Sequence, residues 1–301
     1  MMKAKRILGT LLAGAMALSL AACGGTSGSS QSEAASGSGS ASASGEVLKI
    51  GIIQLMEHDA LDQAYQGFVD GLAEAGYVDG ENITIDYQNA QGEQANCQTI
   101  AEKLVADQSD LVLAIATPAA QAMANATTEI PILVTAVTDP ADAKLVESNE
   151  HPGGNVTGTS DMNPVAEQMN LLKTLVPDAQ TVGFLYNSAE ANSKLQVDMA
   201  REAAEGMGLE CIDFTVSSAN EIQQVVESAV SRVDAFYAPT DNVIANGMAT
   251  VSMITEPAGI PVICGEEGQV QNGGTATYGI SYYNLGKLTA TQAVDILEGK
   301  S

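Results

Sequence analysis

The chain has no tryptophan, four phenylalanines and eight tyrosines, an aromatic share of 4%. Its core must therefore come from aliphatic side chains, and an apolar content of 45% over 301 residues supplies enough for two domains. Positive charge is equally scarce, with 12 Lys and Arg against 37 Asp and Glu and a formal net charge of −25. No face can neutralise a phosphate backbone, which excludes nucleic acid as a partner. Two histidines, His58 and His151, and cysteines at 23, 97, 211 and 264 make no metal-ligand or CxxC spacing. His58 stands between Glu57 and Asp59 without a second cluster to complete a metal site. No Ser/His/Asp order, nucleophile elbow, Gly-x-Gly-x-x-Gly or Walker pattern is found, so neither catalysis nor a cofactor is expected.

The N-terminus is set apart from the rest. Lys3, Lys5 and Arg6 precede an apolar run from Ile7 to Leu20, shorter than the about 20 residues a membrane span needs. This is the pattern of a secretory leader over residues 1–22. Leu20-Ala21-Ala22-Cys23 resembles a bacterial lipobox, which implies cleavage before Cys23 and attachment of diacylglycerol to its sulfur. Two acyl chains would hold the protein at a membrane. Residues 23–45 are nearly all Ser, Gly and Ala, a flexible tether of roughly 25 Å root-mean-square reach. The three remaining cysteines are expected as buried small residues.

From Val47 the pattern alternates strand and helix. Leu48 to Ile53 reads as a strand, Leu61, Tyr65, Phe68 and Leu72 as one helix face, and Gly76 as its stop. Ile83 to Tyr87 is a second strand, and Thr99 to Ala106 a helix. Leu111 to Ile115 is an unbroken apolar run, the mark of a strand buried on both faces. Thr117 as N-cap and Pro118 at the first helical position then open a helix. Ile130 to Val134 is a fourth strand, emptying into Thr138-Asp139-Pro140. The same order recurs from Thr181: strand, helix ending near Gly208, strand Glu210 to Phe214, helix Ile222 to Val230, and Phe236-Tyr237-Ala238 before Pro239. Ile260-Pro261-Val262-Ile263-Cys264 repeats Ile130-Pro131 at nearly the same offset and leads to Gly265-Glu266-Glu267-Gly268. Repeated strand–helix–strand units predict an α/β fold of two similar doubly wound parallel-sheet lobes. Lobe 1 is expected over 46–159 plus 282–301, and lobe 2 over 160–281.

In such sheets ligands gather beyond the carboxyl ends of the strands. The first lobe offers Gln54, Met56, Thr117, Ala119, Ala120, Thr138 and Asp139 there, and the second offers Tyr186, Asn187, Thr240, Asp241, Asn242, Glu266 and Glu267. One edge is neutral and rich in helix-start N–H donors; the other carries carboxylates. That asymmetry suits a zwitterion, its carboxylate on the Thr117 helix start and its ammonium facing Asp241 or Glu266. Structural alternatives stand beside each assignment. Asp241 can be a helix cap, Glu266-Glu267 and Asp139-Pro140 ordinary turns, and Met56 and Tyr186 packing residues.

Lipobox, tether, both lobes and six local motifs together resemble the ABC-transporter substrate-binding lipoproteins of the tryptophan/tyrosine-type branch. The motifs are Ala116-Thr117-Pro118-Ala119-Ala120-Gln121, Thr135-Ala136-Val137-Thr138-Asp139-Pro140, Asn155-Val156-Thr157-Gly158, Leu185-Tyr186-Asn187-Ser188, Pro239-Thr240-Asp241-Asn242 and Gly265-Glu266-Glu267-Gly268. The resemblance implies a type I periplasmic-binding-protein fold and a monomer lipid-anchored on the extracytoplasmic face of a bacterial membrane. It also implies permease and ATPase partners and an aromatic amino acid ligand. The residues themselves support an amino-acid-sized zwitterion. A receptor presenting its ligand to a membrane sensor, or a binder of another small polar solute, would use the same parts. The chain is expected to cross between lobes near Gly158–Asp161 and again within Thr275–Ile280, with a last helix from Leu285 to Ile296 on lobe 1. Relatives resembling it continue to a third crossing, so the end at Ser301 predicts an unpaired edge in lobe 2.

Overall fold

The computed structural model describes residues 47–300; the leader, the lipobox and the tether lie outside them. The first half runs β1 (Leu48–Gln54), α1 (Asp59–Glu74), β2 (Ile83–Asn89), α2 (Gln94–Ala106), β3 (Leu111–Ile115), α3 (Thr117–Ala126), β4 (Ile132–Val137) and β5 (Val156–Ser160). The second runs α4 (Val165–Leu175), β6 (Thr181–Asn187), α5 (Ala191–Gly206), β7 (Glu210–Val216), α6 (Ile222–Ala229), β8 (Ala235–Ala238), α7 (Asn242–Ala258), β9 (Val262–Cys264), α8 (Glu267–Gln271), β10 (Ala276–Thr277) and α9 (Tyr282–Leu297). Two five-stranded sheets result, ordered β2-β1-β3-β4-β5 and β7-β6-β8-β9-β10. The orders are equivalent, and every pairing is parallel.

The strand patterns follow from position. β3, β4, β8 and β9 are buried at every residue, as continuous apolar runs inside parallel sheets require. β2 and β7 are edge strands and keep one partly exposed face. In α1 the buried residues Ala60, Leu61, Ala64, Phe68 and Leu72 fall at helical spacing. Cys97 and Cys264 are buried, Cys211 is half-buried, and none of the three is bridged.

Some boundaries differ from the sequence reading. α2 begins at Gln94 rather than Thr99. Ala116, not Thr117, takes the cap position of α3, at φ 81°. Its N–H still bonds to Thr135 O at 3.1 Å as part of the sheet, so the chain must turn within one residue. Gly158 and Ser160 belong to β5, paired with β4, and α4 and α8 carried no recognised sequence signal. β10 contributes two residues beside β9, where β5 contributes five beside β4.

The chain leaves each sheet by its fifth strand and gives the next helix to the other sheet. α4, following β5, packs on α5 and β9; α9, following β10, packs on α1, β4 and β5. The α1–α9 contact is unusually close. A Cβ on Gly286 would stand 2.0 Å from Ala64 O, and one on Gly67 2.0 Å from Tyr283 O. These crossings hold the carboxyl edges of the two sheets against each other.

Candidate functional site

Between those edges lies a narrow, nearly closed slot with a cavity volume of about 10 Å³, room for about one water. His58, Ala60 and Leu61 line it from the start of α1, Ala136 from β4 and Asp161 from the crossing after β5. Asn192, Thr240, Asp241, Asn242, Ala245 and Glu266 face them from the second sheet, and Tyr282 from the start of α9. Small side chains form part of its lining, and Ala136 does so at φ 54°, a backbone conformation whose strain is typical of functional sites.

The edges have closed on each other. Gln196 Nε2 donates to Thr138 Oγ1 at 3.1 Å and to Thr240 Oγ1 at 2.5 Å. His58 Nε2 and Asn242 Oδ1 are 3.1 Å apart, and Asn272 Nδ2 donates to Asp59 Oδ2 at 2.6 Å.

The two edges differ in what they leave unspent. On the first sheet, α1 and α3 start without a side-chain cap, so their first-turn N–H groups stay available. On the second, Asp241 caps α7 and Glu266 caps α8. Asp241 accepts from Asn187 N at 2.6 Å, Ser193 Oγ at 2.7 Å and Ile244 N at 2.9 Å. Glu266 accepts from Gly268 N at 2.5 Å and Gln269 N at 2.8 Å. Their own lobe already engages both carboxylates. The free acceptors lie elsewhere: Asp161 Oδ1, His58 Nδ1 and Asn192 Oδ1 are buried, without a partner, and on residues that line the slot. The other oxygen of Asp161 accepts from Tyr282 Oη at 2.6 Å.

Burial sets the electrostatics. It raises the Asp161 carboxyl above its ordinary range and pushes Glu266 up to about 7. Glu190 and Asp241 are raised by burial, and Glu190 further by the nearby Asp241. Burial lowers the His58 imidazole, which favours its neutral form. No ion pair among the described residues involves a slot-lining carboxyl.

Of the residues expected from the sequence, Asp241, Asn242 and Glu266 line the slot, as does Thr240. Thr138 is a closure contact. Met56 and Asn187 border a second, more open cleft with Pro118 and Glu190. Gln54 braces the loop before α1, donating to Met56 O at 2.8 Å and Asp62 Oδ1 at 2.7 Å. Thr117, Ala119 and Ala120 are buried outside the slot lining, and the Ala120 N–H is spent on Ala116 O at 3.0 Å. Asp139 closes a turn, accepting from Ala141 N, Asp142 N and Asn149 Nδ2. Tyr186 packs into the core of the second sheet. His58, Asp161, Glu190, Asn192 and Tyr282 were missed. For Glu190 and Asn192 the signal was available, since they open the helix after β6 as Thr117 opens the one after β3. Asp161 and Tyr282 had none, because they enter the site only through the crossings.

Comparison with known proteins gives this geometry a context. The profile of the ABC transporter substrate binding protein family matches residues 49–301. A tyrosine-binding protein of Clostridioides difficile strain R20291 is 44% identical over 302 residues, covering 100% of this chain and 86% of that protein. An ABC domain from Streptococcus pneumonia, solved in complex with L-Trp, superposes with a TM-score of 0.82 at 43% identity over 84% of this chain and 86% of that one. A ligand-free, open substrate binding protein from Clostridium difficile gives 0.63 at 47% identity over 85% and 86%. The structure with ligand fits better although its sequence is less similar, in line with the closed edges described above.

Proposed function

We infer that this chain, which belongs to the family of ABC transporter substrate binding proteins, captures a free aromatic amino acid in the slot between its two sheets. The single observation that carries the inference is Asp161 Oδ1, a buried carboxylate oxygen with no donor in a slot without a cation. A carboxyl in that setting calls for a positively charged donor, and the ammonium of an amino acid supplies one. The ligand's carboxylate then faces the uncapped start of α1, which lines the slot and where N–H groups and the helix dipole attract anions. Ala60, Leu61, Ala136 and Ala245 give the slot apolar walls for the side chain to meet once the sheets part to admit it. The relatives named for tyrosine and solved with L-Trp support an aromatic one.

Since the ligand touches both edges, binding and closure are one event, and release requires the sheets to part. The loaded protein delivers its ligand to the permease of an importer, on the extracytoplasmic side where such proteins work. Leader, Cys23 and tether, all in the sequence before the described residues, support a lipid anchor for that encounter.

Calorimetry with the twenty amino acids and with sugars and short peptides tests the reading. One or more of tryptophan, tyrosine and phenylalanine should bind with a stoichiometry of about one. Binding of a sugar or peptide with no amino acid response would overturn it.

A further inference from the structure

Two of the unpartnered acceptors in the slot, Asn192 Oδ1 and His58 Nδ1, carry no charge, and a chain of hydrogen bonds fixes the second in that form. Glu190 Oε2 accepts from the Asn242 side-chain amide at 2.6 Å and from the Asn242 backbone N–H at 3.2 Å. Asn242 therefore turns its Nδ2 to the carboxyl and its Oδ1 to His58, 3.1 Å from Nε2. An amide oxygen can only accept, so His58 carries its proton on Nε2. Nδ1 is left as a bare lone pair, buried and without a partner, on a residue that lines the slot.

The slot thus offers two different kinds of acceptor. Asp161, at the crossing beside Tyr282 and Thr138, can take an ammonium. His58, beside Asn242 and Glu190, suits a neutral N–H or O–H. Protonating Nδ1 to serve an anion instead would cost the burial energy that keeps this ring neutral. The apolar side chains of Ala60, Leu61 and Ala245 line the same slot.

We propose that His58 Nδ1 accepts the side-chain hydrogen bond of the ligand, so that the slot selects an indole N–H or a phenol O–H and discriminates against a plain phenyl ring. Asn242 and Glu190 act as positioning residues that hold the imidazole in the accepting tautomer. The inference rests on the aromatic amino acid reading above. A buried acceptor left without its donor is the strongest source of discrimination available to such a site, because the analogue lacking the group gains nothing in exchange.

The test is calorimetry of the full folded domain with L-tryptophan, L-tyrosine and L-phenylalanine. In the unaltered protein phenylalanine should bind at least about tenfold more weakly than the better of the other two. His58→Leu should bring the three within about threefold of one another, while His58→Gln, which keeps an acceptor, should restore part of the preference. Equal affinity for phenylalanine in the unaltered protein overturns the proposal even if no variant folds. So does an unchanged ratio in His58→Leu. If none of the three amino acids binds, the aromatic reading itself has failed. Binding of all three without discrimination removes only the role of His58.

Discussion

Asp161 and Asp139 are both acidic residues beyond strand ends of the first sheet, yet their surroundings assign them opposite tasks. Asp139 is held by burial against three donors from its own turn, and the donors win, so its carboxyl sits below its ordinary range. Asp161 has Tyr282 Oη on one oxygen, with the Thr138 hydroxyl beside the carboxyl, while Oδ1 has no partner and no escape to water. Asp161→Asn should weaken aromatic amino acid binding by about 2–5 kcal/mol, because it strands the ligand's ammonium without its counter-charge. Asp139→Asn should leave affinity within about 0.5 kcal/mol, since its oxygens serve a surface turn. Titration of both variants by calorimetry checks the pair, and equal losses would place the ammonium elsewhere. From sequence, Asp139 drew attention through its Thr-Asp-Pro motif, whereas Asp161 had only an unremarkable loop around it. Motif strength measured turn-forming chemistry there, and site membership depended on where the crossing leads.

Among the elements, the α1–α9 pair bears most on the site, since His58 and Tyr282 flank the starts of those two helices. Glycine at 67 and 286 lets the backbones meet where any Cβ would strike a carbonyl oxygen. Gly286→Ala should cost about 1–3 kcal/mol of stability, read as a lower urea midpoint, because the helices must move apart. Gly206→Ala, at the end of α5 with nothing within 4 Å of the new Cβ, should have the opposite sign and gain about 0.5–1 kcal/mol. The hydrophobic period of α9 was readable in the sequence as Leu285, Leu288, Ala293 and Ile296. Its packing face is not that stripe alone, since Leu288 is 55% exposed while Gly286, Thr289 and Ala290 are buried. A helix that docks through small residues buries positions that periodicity scores as neutral.

At the scale of the whole molecule, closure sets four buried carboxyls and one latch against each other. Gln196 joins Thr138 of one edge to Thr240 of the other. Gln196→Leu should therefore shift the ligand-free protein toward separated lobes, seen as a larger radius of gyration in solution scattering. Ligand affinity should fall by about 1–3 kcal/mol, the cost of leaving buried hydroxyls unpaired. The carboxyls give stability a pH dependence of definite sign. Glu266 is raised from 4.5 to about 7 in the fold, so between those values the folded state holds more protons than the unfolded one. Stability then falls as pH rises through that window, by at most about 1.4 kcal/mol per pH unit for this group. Asp161 and Glu190, also raised, act in the same direction. Thermal melting at pH 5 and pH 8 should show the higher midpoint at pH 5, and Glu266→Gln should reduce the difference.

Repetition was what the amino-acid order established without help. Apolar runs at matched offsets are local, each strand and helix answers to its own periodicity, and two copies of one pattern can only build two similar sheets. The division into a neutral and an acidic edge was not legible in the same way, because Asp161 enters the slot from the first sheet through the crossing after β5. The identity of the binding atoms was decided in three dimensions. Asp241 and Glu266 are acidic in any reading, but only the folded chain shows their oxygens taken by Asn187, Ser193, Ile244, Gly268 and Gln269. His58, flanked by Glu57 and Asp59, carries no sign in sequence of Asn242, 184 residues away, or of the Glu190 behind it, which together set its tautomer. Whether a polar atom is free depends on every neighbour that could satisfy it, and those neighbours arrive from segments that meet only when the two sheets close.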